Sequence, residues 1–149
     1  MRTVRASIEI AVEPARYVRA FLDPDDLRGW WRADRILIEP KLNGLYAIGW
    51  GVTEAGYQYV STGTIVEFEP TRLRVDHFTY FNPHHGILGP MELCVTAEAL
   101  GSGTCRATVE QSGYQHGEHW DWFYAAVTDG WPKTLDHLRR YLEHPDVPK

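Results

Sequence analysis

The sequence predicts an α+β domain in which a seven-stranded antiparallel sheet curls around one long C-terminal helix, with two short helices after the first strand. Three features carry that expectation. Residues 3–12 alternate apolar and polar, the period of a half-buried strand. Six further segments, rich in β-branched and aromatic residues and separated by turn residues, read as an antiparallel meander. From Glu118 the apolar spacing changes to three, four and seven, the period of an amphipathic helix. Strands and helices segregated in this way define the class.

Taken in order, the first strand places Val4, Ala6, Ile8, Ile10 and Val12 on one face. Pro14 suits a helix N1 position, and Ala15, Val18 and Phe21/Leu22 form one stripe that Asp23-Pro24 stops. The segment "DDLRGWW" adds a turn or two of helix, too short to stand without packing against something larger. The strands follow as "RILIE", "GLYAIGWGV", "YQYVSTGTIVEFE", "RLRVDHFTYF", "MELCVTAEA" and "TCRATVEQS". Pro40, Asn43-Gly44, Glu54-Ala55-Gly56, Pro70, Pro83 and Gly101-Ser102-Gly103 punctuate them.

The last helix, Glu118 to Glu143, carries Trp120, Phe123, Tyr124, Val127, Trp131, Leu135, Leu138 and Leu142 on its apolar stripe and must lie across the sheet. Within it, Asp129-Gly130-Trp131-Pro132 reads as a breaker. Pro132 removes the hydrogen bond to the Thr128 carbonyl at about 3 kcal/mol, and Gly130 adds roughly 1 kcal/mol relative to Ala. Burial of Trp131, Leu135 and Leu138 offsets that cost, so a hinge that folds the helix over the sheet is expected. No repeat or linker divides the chain, so residues 1–149 form one domain, and the tail "HPDVPK" is expected to fray.

With 149 residues, 44% of them apolar and 23% charged, the chain is large enough for a substantial core. A net charge of −5 with 15 scattered basic residues offers no phosphate-binding surface, so no nucleic-acid partner is expected. No apolar leader and no stretch of roughly 18 apolar residues is present, which predicts a cytoplasmic protein with no membrane partner. Cys94 and Cys105 fall in opposite strand phases, so they are not expected to pair.

The order β-α-α-β-β-β-β-β-β-α is the helix-grip arrangement. Within it, "EPARYVRAFLDPDDLRGWW", "NGLYAIGW", "GTIVEFEPTRLRV", "VEQSGY" and "AAVTDGWPKTLDHLRRYL" resemble the activator-of-heat-shock-protein-90-ATPase homologue branch of the START/Bet v 1-like (SRPBCC) superfamily. The resemblance spans nearly the whole chain. It implies a cavity between sheet and long helix, which in different branches holds lipids, hormones or aromatic polyketides, while some branches are cyclases or chaperone activators. Where the family often carries an aromatic in the fifth strand this chain has His77, in phase with Leu73 and Val75, so a polar group is expected to face the interior.

Trp and Tyr combine large apolar area with one hydrogen-bonding tip, so the helix aromatics read either as core or as the wall of a ligand cavity. The wall candidates are Trp120, Tyr124 and Trp131, with Trp30, Trp31, Trp50 and Tyr59 opposite, and with His77 and Tyr80 on the fifth strand. Trp122 lies off the stripe and serves either as a surface anchor or as packing near His84. A zinc reading of His84, His85, His116 and His119 fails on spacing, because a zincin helix needs histidines four apart and no cysteine pair completes a site. No nucleophile elbow or phosphate-binding glycine loop is present. Asp25-Asp26 read as a cap and a solvated turn.

The expected function is non-catalytic binding of an apolar or aromatic small molecule, lipid- or polyketide-like, without cofactor or metal. Three alternatives follow from the resemblance. One is a cyclase- or aromatase-like enzyme in which His77, with Tyr59 or Tyr80, steers proton transfers. Another is a chaperone-ATPase activator, with a second copy or another protein docking around Trp122. The third is a self-resistance protein cut at Gly113.

Overall fold

The computed structural model describes residues 2–145. Its elements are β1 (Arg2–Ile10), α1 (Pro14–Arg19), α2 (Pro24–Trp30), β2 (Arg35–Ile38), β3 (Leu45–Thr53), β4 (Gly56–Glu69), β5 (Arg72–Asn82), β6 (Gly86–Gly101), β7 (Thr104–Tyr114) and α3 (Glu118–Glu143). Residues 146–149 of the tail expected to fray lie outside the described residues.

All seven strands join one antiparallel sheet in the order β1-β7-β6-β5-β4-β3-β2. The first strand closes onto the last, and α1 and α2 carry the chain to the opposite edge. The inward alternation of Leu73 and Val75, Leu93 and Val95, and Cys105, Ala107 and Val109 lays an apolar floor on one face, each of these side chains being buried. Helix α3 covers that face, packing chiefly against β1, and contributes Phe123, Trp131, Leu135, Leu138 and Leu142 to the core. This is the helix-grip α+β architecture. Cys105 is buried, Cys94 is half-buried on the other phase, and both are free. Among the described residues no helix is long and apolar enough to cross a membrane.

The two short helices are held through their aromatic tips. Tyr17 donates its hydroxyl to the Thr108 carbonyl (2.9 Å), Tyr46 to the Phe21 carbonyl (2.7 Å), and Trp30 donates Nε1 to the Ala20 carbonyl (2.8 Å). Burial pushes both tyrosine hydroxyls well above their usual range, so they stay protonated donors. Asp23 caps α2, accepting from the backbone N–H of Asp25 and Asp26. Asp26 corrects the expectation of a solvated turn: it is 5% exposed and bound by Arg16.

The start of one strand and the course of the long helix differ from the sequence reading. Strand β6 begins at Gly86, not at Met91, because the Asn82 side chain accepts from the N–H groups of His84 (2.8 Å) and His85 (3.2 Å). That tight turn lets Phe81 pair with Ile87 and Asn82 with Gly86. Helix α3 also runs unbroken through Pro132, where a hinge is expected from sequence. Residues buried on both sides of the proline, Trp131 before it and Leu135 and Leu138 after it, outweigh the lost backbone bond.

A Cβ placed on Gly130 meets nothing within 4 Å. Gly130→Ala is therefore expected to stabilise the fold by about 0.8–1 kcal/mol, the helix-propensity difference alone. Urea denaturation of the two proteins measures it, and an unchanged midpoint would contradict the open space described at this turn.

Candidate functional site

Between the sheet and α3 lies a cavity of about 440 Å³, within the size range of small-molecule sites. The sheet supplies Trp50 from β3, Tyr59 and Ser61 from β4, Phe78 and Tyr80 from β5, and Gln111 from β7. Trp31, just after α2, closes one end. The helix wall is Phe123, Val127, Trp131 and Thr134 with Trp122, Ala126 and Gly130 beside them, a single face at helical spacing. Small side chains at 126 and 130 leave the hollow open where large ones would fill it.

The indoles are oriented by hydrogen bonds that leave their faces to one another and to the cavity. Trp50 donates Nε1 to the Trp31 carbonyl (3.0 Å), and Trp131 donates Nε1 to Gln111 Oε1 (3.0 Å). Trp31 stacks on Trp30 (4.8 Å between centroids) and meets Trp50 and Trp131 edge-on or tilted at 5.3 and 5.6 Å. Across the hollow, Tyr80 stacks on Phe123 at 5.2 Å. Burial raises the Tyr80 hydroxyl above its usual pKa, opposed by a long contact from the Asn82 amide (3.4 Å). Among the described residues the lining contains no carboxylate, imidazole, ammonium, guanidinium or thiol. Such a surface holds apolar and aromatic groups and offers neutral hydrogen-bonding groups, among them Ser61, Gln111, Thr134 and the tyrosine hydroxyls.

Of the candidates read from sequence, Trp31, Trp50, Tyr59, Tyr80 and Trp131 come together on this wall. Trp30 lies behind Trp31, in the core and 3% exposed. Trp120 and Tyr124 instead pack around Tyr114, at 6.3 and 5.2 Å, and the Arg2 guanidinium sits 4.7 Å over the Tyr124 ring. The reason is rotational. The cavity face of α3 is turned about 80° from the centre of the apolar stripe, because the stripe itself is spent on β1 and the core.

His77 corrects the inward expectation: it is exposed and lies outside the cavity. Strand β5 carries one residue more than either neighbour at this point. Thr64 pairs with Asp76 but Thr62 with Thr79, and Leu93 pairs with Val75 but Met91 with Phe78. The bulge puts His77 at φ +55°, turns it out and brings Phe78 in, 4% exposed. The proton-transfer role for His77 in the cavity falls with that phase.

Trp122 lies flat against His85 (3.7 Å between centroids) and stays 41% exposed at the cavity rim. His85 Nδ1 and His119 Nδ1 are 2.9 Å apart and share a hydrogen bond, which ties the β5–β6 turn to the start of α3. Sequence reasoning missed Ser61 and Gln111. The signal was present for Gln111, a polar residue in the inward phase of Cys105, Ala107 and Val109.

Comparison with known proteins agrees with this geometry. The family model described as "Activator of Hsp90 ATPase homolog 1-like protein" matches residues 11–143. None of the curated proteins matches the chain. Among solved structures, protein MLL2253 from Mesorhizobium loti superposes with a TM-score of 0.75 at 22% identity, covering 98% of this chain and 100% of that one. The Aha1 dimer from Colwellia psychrerythraea gives a TM-score of 0.73 at 16% identity, with 99% and 100% covered. DynU16, described as a putative protein in the dynemicin biosynthetic locus, gives 0.69 at 18% identity, with 96% of this chain and 48% of that one covered.

Proposed function

The chain belongs to the activator of Hsp90 ATPase homolog 1-like family, and from that membership and its hollow interior we propose that it is a cytoplasmic, non-catalytic protein that binds an apolar or aromatic small molecule between sheet and α3. The observation that carries the reading is the aromatic wall itself. Five rings predicted from sequence, Trp31, Trp50, Tyr59, Tyr80 and Trp131, face one cavity of about 440 Å³ instead of filling it. Burying a flat ligand there removes apolar surface from water on both partners, at roughly 25 cal/mol per Å². A structural neighbour described as belonging to a biosynthetic locus supports a small-molecule setting.

The test is a panel of neutral aromatics and fatty acids titrated against intrinsic tryptophan fluorescence, with native mass spectrometry of the purified chain. Saturable quenching by at least one neutral aromatic is expected. Val127→Phe, which places a larger side chain on the cavity wall, is expected to weaken that binding about tenfold or more while the chain stays folded. No saturable change with any member, and no co-purifying mass, would remove the proposal.

A further inference from the structure

We infer that the cavity selects an uncharged planar ligand carrying a hydrogen-bond-accepting oxygen, a ring carbonyl above all, and that Ser61 and Gln111 are the residues that read it. The inference rests on the binding function proposed above and adds the chemical class.

Buried polar side chains are almost always hydrogen-bonded, so unspent capacity at such a group asks for a partner. Ser61 is 4% exposed and lines the cavity, yet its hydroxyl takes no protein partner among the described residues. Gln111 is 3% exposed and lines the same cavity. Trp131 Nε1 is a donor only, so the Gln111 atom 3.0 Å from it must be the amide oxygen. The amide nitrogen therefore points elsewhere, and its one contact is the Met91 sulfur at 3.8 Å, a weak acceptor. One Gln111 N–H and the Ser61 O–H are left to donate.

The free Gln111 N–H can only donate and the Ser61 hydroxyl can donate as well as accept, so an acceptor oxygen is the one ligand atom that satisfies both. The remaining lining decides the rest of the ligand. The faces of Trp31, Trp50, Tyr80 and Trp131 favour a flat ring system. A carboxylate or ammonium group would lose its hydration with no opposite charge on the lining to replace it, so fatty acids and charged headgroups are selected against. Discrimination of this kind comes from the buried donors: a ligand without the oxygen displaces water and leaves them unpaired.

Fluorene and fluorenone, flat three-ring compounds of closely similar outline that differ by one carbonyl, test this on the full chain. Affinities are read by tryptophan quenching and by isothermal titration for the wild type, Ser61→Ala and Gln111→Met. In Ser61→Ala the fluorenone-to-fluorene affinity ratio is expected to fall about three- to tenfold, fluorenone losing its donor and fluorene no longer leaving a hydroxyl unpaired, with the melting temperature unchanged because the lost hydroxyl leaves no protein partner behind. Gln111→Met is expected to lower the same ratio and also the melting temperature, because Trp131 Nε1 loses its acceptor. A ratio that stays at the wild-type value in Ser61→Ala while fluorene still binds overturns the carbonyl assignment and leaves the binding function standing. If neither compound binds the wild type, while other neutral aromatics do, the assigned ligand class is wrong. If nothing in the panel binds, both readings fall.

Discussion

Trp131→Ala is expected to destabilise the protein by about 3–5 kcal/mol and to abolish aromatic binding in the cavity, because one side chain serves both. Trp131 is 6% exposed and packs against Phe21 (6.3 Å) and Trp31 (5.6 Å) while lining the hollow. Truncation opens a void among large rings that cannot collapse, and it strips Gln111 Oε1 of its donor. Trp131→Phe should recover most of the packing but not the hydrogen bond, at a cost nearer about 1–2 kcal/mol. Urea midpoints and ligand titration separate the two effects. A loss in Trp131→Ala below about 1 kcal/mol would mean that this ring is not packed as described.

Asp26→Ala is expected to cost about 2–4 kcal/mol, below the upper range for a broken buried ion pair because Arg16 keeps partial access to water. Asp26 sits where three helices meet. Its Oδ2 accepts from Arg16 (2.7 Å), and its Oδ1 accepts both from Arg16 (2.9 Å) and from the Tyr141 hydroxyl of α3 (2.7 Å). The bidentate fork and the phenol converge on a carboxylate whose side chain is only 8% exposed. The contact needs α2 and α3 close together, and Gly29 permits it: a Cβ there would fall 2.4 Å from the Tyr141 ring. For a chain of this length a loss of this size lowers the melting temperature by roughly 4–16 °C.

The same cluster makes stability depend on pH. Burial by itself would raise the Asp26 carboxyl, but the hydrogen bonds from Arg16 and Tyr141, with the Arg16 charge, bring it below the usual carboxylate value. The folded state then binds this proton less tightly than the unfolded state. Its contribution is complete above the unfolded carboxylate range, about pH 4, and is lost as pH falls through the lower folded value. Urea titrations at pH 7 and pH 3 are expected to show a smaller acid loss in Asp26→Asn than in the wild type. An equal loss in both proteins would take Asp26 out of the acid response.

Most of the fold was legible because its signals are local. The alternation of Val4 to Ile10, the inward run Cys105-Ala107-Val109 and the helical stripe from Phe123 to Leu142 each state their element and its buried face within one segment. Pro14 marked the start of the first short helix and Asp23-Pro24 its end for the same reason. The start of β6 was not legible, since it depends on Asn82 folding its side chain back over the next turn.

The site was legible only in part. Aromatics on the strands, Trp50, Tyr59 and Tyr80, were read as facing inward and do so. On α3 the same reasoning selected Trp120 and Tyr124 with Trp131, and only Trp131 faces the cavity. An amphipathic stripe says which side of a helix is buried, without saying which part of that side meets a partner and which part meets a hollow.

Sequence alone therefore determined the elements, their order, the α+β class and the aromatic content of the interior, because periods of 2 and 3.6 residues are written along the chain. Tertiary structure decided the rest. The docking of α3 onto β1 set which flank of the helix lines the cavity. One extra residue in β5, counted against strands on both sides, turned His77 out and Phe78 in. Both outcomes depend on neighbours far away in the chain, whose register no local pattern contains.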